Sequence, residues 1–269
     1  MPTLKTDGAD VYYEVHGKGP PMLLISGTAC DGAFWSPYQV PDFSRDHTVI
    51  IFDQRGIGQT IVHSNDYSTV RLATDAAEIV REVGLGPAFV VGHSMGGRVA
   101  QLIALDHPDT VTAMALLSTG AGYKAQGGIP PKICLGIIKQ GYETYIREHN
   151  IDIGFTKKYA EENPAQVDQC IDVLMNALPA VEIYLEHVNS RQWHNTRDRL
   201  KNILVPCLIT VGDDEVHGLS DTTHVASAKL LADNIPHTRF IVIPDAGHFY
   251  MFSHPEHING LVRQFINDL

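Results

Sequence analysis

Val90-Val91-Gly92-His93-Ser94-Met95-Gly96-Gly97 is the stretch that decides the fold of this chain. The apolar run 88–91 reads as a buried strand. A helical pattern follows at once over 98–104 and ends near His107-Pro108. Between them, Gly-x-Ser-x-Gly makes a turn tight enough to hold Ser94 in a strained backbone conformation. A side chain at Gly92 or Gly96 would collide with the neighbouring strand or helix. The turn lifts the Ser94 hydroxyl clear of the sheet. It also leaves the Met95 N–H at a helix N-terminus, where negative charge is favoured. The five-residue motif alone also fits an ordinary Gly-rich turn with an incidental serine. The strand before it, the helix after it and the partners found further along make it a nucleophile elbow.

Outward from this stretch the chain alternates. Residues 3–17 read as a hairpin turning at Asp7-Gly8. Continuous apolar runs at 22–25, 47–52 and 111–117 have the character of strands buried on both faces. Residues 67–85 carry Leu72, Ala76, Ile79, Val80 and Val83 at helical spacing. A strand at 206–211, a helix at 224–234, a strand at 239–243 and an amphipathic helix at 255–269 close the chain. Strands alternating with helices predict an α/β fold, a mostly parallel central sheet with helices on both faces. The alternation stops over 122–199, where the pattern is helical throughout: 132–148, 156–162, 165–178 and 181–190. The expected organisation is therefore a core of 1–121 and 200–269 with 122–199 inserted as a helical lid.

The 269 residues suffice for one such domain and its insertion, and 44% apolar with 19% charged residues is an ordinary globular balance. The net charge of −11 argues against nucleic acid or an anionic membrane as partner. It does not forbid an anionic substrate, because a local cation outweighs a distant field. Cys30, Cys134, Cys170 and Cys207 show neither CxxC pairing nor metal spacing and read as free thiols. The first residues hold no apolar signal core, and no apolar run approaches the ~20 residues that span a bilayer. A cytoplasmic protein with a small-molecule substrate is expected, as monomer or homodimer, with no metal and no cofactor.

A serine hydroxyl is a poor nucleophile at neutral pH and needs a base, itself oriented by an acid. His248, in Pro244-Asp245-Ala246-Gly247-His248-Phe249, follows the last strand and so sits at the sheet edge that Ser94 occupies. His93, beside the serine, is expected to point away from the Ser94 hydroxyl. The acid should follow the strand ending at Val211, where Gly212-Asp213-Asp214-Glu215 offers three carboxylates. Asp214 is preferred, with Glu215 as the alternative. The loop Ser26-Gly27-Thr28 after the 22–25 strand supplies a second oxyanion donor, the Thr28 N–H opposing that of Met95. Phe34 and Trp35 are expected in the substrate pocket, with Phe249 either there or in packing. Arg147 and Arg191 are candidates for holding a substrate carboxylate, against the alternative of exposed surface arginines.

Ser26-Gly27, Asp53-Gln54-Arg55-Gly56-Ile57-Gly58, Gly92-His93-Ser94-Met95-Gly96-Gly97 and Pro244-Asp245-Ala246-Gly247-His248 together resemble the α/β-hydrolase superfamily over essentially the whole chain. Within it the chain looks like the small lidded group of 3-oxoadipate enol-lactonases, aminoacrylate hydrolases and related carboxylesterases. Ser26 stands where that family commonly has His, which leaves backbone donation intact. The resemblance implies a serine hydrolase of a small ester, lactone or related acyl substrate. Two rivals use the same scaffold: a hydrolase of carbon–carbon bonds in ring-fission diketones, and a slow-turnover small-molecule receptor.

Overall fold

The computed structural model describes residues 2–122, 127–213 and 224–269. The chain opens with a hairpin, β1 (Thr3–Thr6) and β2 (Ala9–His16), turning at Gly8 with φ +78°. Then come β3 (Pro21–Ile25), a short 3₁₀ turn (Gly32–Trp35), α1 (Gln39–Phe43), β4 (Thr48–Phe52), β5 (Ile61–Val62) and α2 (Thr69–Val83). Ser68 caps α2 by accepting the Arg71 N–H, and Gly84 ends it at φ +72°. Next are β6 (Ala88–His93), α3 (Met95–Asp106) and β7 (Val111–Leu117).

With β8 at Cys207–Gly212 and β9 at Thr238–Ile243, the sheet order is β1-β2-β4-β3-β6-β7-β8-β9, and β5 pairs with β2. From β4 to β9 every pairing is parallel, and β2 joins β4 antiparallel. The fold is therefore the α/β-hydrolase fold expected from the motifs. β6 lies at its centre, between β3 and β7, and all six of its residues are buried. One face is filled by α2, α3 and the helix α9 (His224–Asn234), in a cluster with Val90, Val99, Ile103 and Leu231. The other face packs against α1, the short α10 (Tyr250–Ser253) and α11 (Pro255–Asn267).

Among the described residues between β7 and β8 (Cys207–Gly212) stand five α-helices: α4 (Pro131–Gln140), α5 (Tyr142–Gly154), α6 (Lys157–Glu162), α7 (Pro164–Asn176) and α8 (Val181–Trp193). The single helix expected over 132–148 is two. Gly141, at φ +83° and ψ 154°, ends α4 and starts α5, a conformation that a helix interior cannot hold. The segment leaves and returns at one place. Gly122 bridges Asn195, and the Thr196 N–H donates to the Ala121 carbonyl at 3.0 Å. β9 (Thr238–Ile243) completes the sheet.

Candidate active site

Ser94 sits between β6 and α3 at φ +54° and ψ −113°, a region β-carbon residues rarely occupy. The turn is held on both sides of the serine. The Ser94 N–H donates to the Leu117 carbonyl at 2.9 Å, and the Thr119 hydroxyl donates to the Ser94 carbonyl at 2.6 Å. A Cβ on Gly92 would stand 2.5 Å from the Gly96 oxygen. One on Gly96 would meet the Ile25 carbonyl and lie 2.6 Å from that of Ser26. Both obstacles are backbone, so glycine is required at each position. Met95 is the first residue of α3, so its N–H has no acceptor within the helix.

The loop after β3 is shaped by the Asp53-Gln54-Arg55 landmark, whose work motif reading left open. Gln54 donates its amide to the carbonyls of Ser26 (3.0 Å) and Gly27 (3.2 Å). With those carbonyls held back, the loop turns toward Ser94. Asp53 accepts the Gly32 N–H at 2.9 Å, and the Ser26 hydroxyl closes the loop on the Asp31 carbonyl at 2.6 Å. Arg55 itself is buried. It forms a two-pronged pair with Asp75 and has no access to the site.

Ser94, His248 and Thr28 line one cavity. Its remaining wall comes largely from the helical segment: Ile146, His149 and Ile153 of α5, Leu174 of α7, and Tyr184 and Arg191 of α8. His248 is buried, and its backbone is fixed from two sides. Its N–H donates to the Ile153 carbonyl at 2.9 Å, and its carbonyl accepts from His93 Nε2 at 3.1 Å. His93 therefore carries its proton on Nε2. Burial pushes its pKa down to about 3, so it is a neutral strut, stacked on Phe34 with ring centres 5.3 Å apart. Burial first, then His93, His224 and Arg191, holds the His248 pKa well below the ordinary histidine value. The ring is thus neutral at neutral pH, the form a general base requires.

His248 Nδ1 is buried and has no hydrogen-bond partner among the described residues. Asp213 does not fill that place: its Oδ1 accepts the Ala246 N–H at 3.3 Å. Asp214 and Glu215 lie outside the described residues. His224 stands 4.7 Å from His248, ring centre to ring centre, a neighbour that sequence spacing did not signal. Phe249 lines the cavity. Phe34 and Trp35, expected in its wall, do not. The 3₁₀ turn that carries them rotates both rings into the core, where they are fully buried and packed edge to face. Among the described residues no group of three His, Cys, Asp or Glu side chains is placed to hold a metal ion.

The α/β hydrolase fold family model matches residues 20–138, the part that contains the elbow. A protein of Azorhizobium caulinodans named provisionally as carbamate hydrolase RutD is 26% identical over 100% of this chain and 99% of its own length. Among solved structures, Est816, described as an N-acyl homoserine lactone degrading enzyme, is 28% identical with a TM-score of 0.82. That match covers 98% of this chain and 100% of that one. The enol-lactonase from Burkholderia xenovorans LB400 is 24% identical, with a TM-score of 0.84 over 99% and 100% of the two chains, a likeness of fold. The chain has the α/β-hydrolase fold, and the proteins it is similar to include some named as hydrolases of esters and lactones.

Proposed function

We propose that this protein is a serine hydrolase of small carboxylic esters or lactones, working through an acyl-enzyme. Ser94 attacks the carbonyl. His248 takes the Ser94 proton and returns it to the leaving alkoxide, and then activates the water that releases the acid. A carboxylate of Asp214, or else Glu215, orients His248 from its Nδ1 side and stabilises the imidazolium. The backbone N–H groups of Thr28 and Met95 hold the oxyanion, each worth about 3–4 kcal/mol in the transition state. The segment 122–199 acts as the lid that shapes the pocket over the core of 1–121 and 200–269.

The observation that carries this reading is the left-handed Ser94, set at a helix N-terminus in the same cavity as a buried, neutral His248. Relatives with ester and lactone hydrolase names support the substrate class. The test is steady-state hydrolysis of short p-nitrophenyl esters and a series of lactones, beside Ser94→Ala. Repeated turnover in the parent is expected, falling by about 10⁴-fold or more in the variant. Turnover unaffected by Ser94→Ala would overturn the assignment. A single stoichiometric burst would favour the receptor reading instead.

A further inference from the structure

Gln54 stands just after β4, buried, with its amide against the loop that follows β3. One end of that amide meets two carbonyl oxygens, Ser26 at 3.0 Å and Gly27 at 3.2 Å. Only an NH2 group suits two acceptors, so the contacts themselves assign the amide. The other end, Oε1, is buried with no hydrogen-bond partner among the described residues. An unmet buried oxygen is destabilising, and an apolar side chain of similar size would avoid it. What an apolar side chain could not do is donate.

The Gly27 carbonyl and the Thr28 N–H belong to one peptide unit. Every peptide bond among the described residues is trans, and in a trans peptide these two groups point in opposite directions. Holding the Gly27 carbonyl toward Gln54 therefore aims the Thr28 N–H away from it. That N–H has no acceptor among the described residues, and Thr28 lines the cavity with Ser94. Gly27 itself stands against the elbow: a Cβ there would lie 3.4 Å from Ser94 Cβ and 3.2 Å from His93 Nδ1.

The loop needs such an anchor. The Gly27 carbonyl also accepts the Cys30 N–H at 3.3 Å, closing a turn in which Ala29 sits at φ +57°. A residue with a β-carbon keeps that angle only where its surroundings hold it. Gln54 is in turn firmly placed. Its own carbonyl accepts the Ile57 N–H at 3.0 Å. Asp53, before it, accepts the N–H groups of Gly32 and Gln59. The carbonyl of Arg55, after it, accepts from His187 Nε2 of α8 at 2.8 Å.

We propose that Gln54 is a positioning residue that sets the oxyanion hole: by holding the Ser26 and Gly27 carbonyls, its amide aims the Thr28 N–H at the substrate oxygen. Gln54 is not among the residues that line the cavity, so it acts through the peptide it holds. Two donors on the Gly27 carbonyl also polarise that peptide and strengthen the N–H it presents. The proposal rests on the serine-hydrolase reading, because an oxyanion forms only when Ser94 attacks.

The experiment measures p-nitrophenyl acetate hydrolysis by the parent, Ser94→Ala, Gln54→Met, Gln54→Glu and Gln54→His, per folded molecule by circular dichroism. Gln54→Met removes the donor and keeps the bulk. Its kcat should fall about 10²-fold with KM little changed, the effect of a displaced oxyanion donor. Gln54→Glu turns a carboxylate oxygen against two carbonyls and should lose at least as much. Gln54→His, which restores one donor, should recover part of the loss. n-Butylboronic acid, whose adduct with Ser94 is a tetrahedral anion, should lose affinity for Gln54→Met by a factor similar to that in kcat. In parallel, the Thr28 amide resonance of ¹⁵N-labelled protein should move in Gln54→Met while those of β6 stay in place. A lower Tm in Gln54→Met with kcat and boronate affinity retained would overturn the proposal and leave the hydrolase reading standing. So would losses that fall on KM alone. A Thr28 resonance that moves in a protein without Ser94-dependent turnover would keep Gln54 as the anchor of the loop, and overturn its oxyanion role together with the hydrolase reading.

Discussion

The buried Nδ1 of His248, with no acceptor among the described residues, sets the demand that the acid must meet. Asp213 makes no bond to it and gives Oδ1 to the Ala246 N–H, so the acid of the proposed mechanism is Asp214 or else Glu215. Asp214→Asn should lower kcat by up to about 10⁴-fold with little change in KM, as expected when a base loses its orienting carboxylate. Glu215→Gln should cost far less. Equal slight losses in both would remove the assignment. At this scale, legibility followed how local the signal was. That Ser94 and His248 reach one sheet edge was readable, because each follows its own strand directly. Which of Arg147 and Arg191 would face the cavity was not readable. Both stand on helices, and only packing decides which face of a helix is covered. Phe34 and Trp35 show the same limit: apolar residues beside a site suit its wall and the layer behind it equally well.

At the scale of elements, periodicity located the strands and helices of the sheet, and glycine located their breaks. The reading failed where one glycine interrupts a pattern that is otherwise helical. Gly141 splits α4 from α5, while Gly136, within α4, does not. The difference is a backbone angle, which composition does not encode. The elbow is stricter. Gly96→Ala would push a Cβ against two carbonyls of β3 and its loop. An overpacking cost of about 1–3 kcal/mol is expected, since both obstacles are backbone. Chemical denaturation would measure it, and kcat should fall further than stability because the Met95 N–H moves with the turn. A neutral effect on both would mean that β3 and α3 can separate freely.

Over the whole molecule, charge is buried in two distinct ways. Arg55, fully buried, ties α2 through Asp75 to the first hairpin at Asp7 and to Ser64 just after β5. Arg55→Met leaves Asp75 with Arg71 as a remaining partner. A loss near the lower end of the usual range for a broken buried pair, about 3 kcal/mol, should appear as a lower midpoint in urea. Several histidines are held neutral by burial instead. Burial lowers His187 and His149 to about 4 and His93 to about 3. A group whose folded pKa is depressed binds fewer protons folded than unfolded, so its stability is complete above about pH 6.5 and is lost on acidification toward pH 4. Asp31, raised by burial to about 6, and Asp53, raised by burial as well, oppose this on acidification but are outnumbered by the lowered histidines. Tm should therefore fall steadily from pH 7 to pH 5, and a flat profile would show that these rings are solvated.

The two backbone bonds from His248 and Phe249 to the carbonyls of Ile153 and Gly154 join the catalytic loop to the last turn of α5, with Gly247 close against Gly154. Under the proposed mechanism, the place of α5 and the place of the base are then one variable rather than two. A displacement of α5 that breaks these two bonds would also release the backbone of His248, the base of the proposed mechanism. Amide hydrogen exchange at His248 and Phe249 should accordingly keep pace with α5 rather than with the sheet.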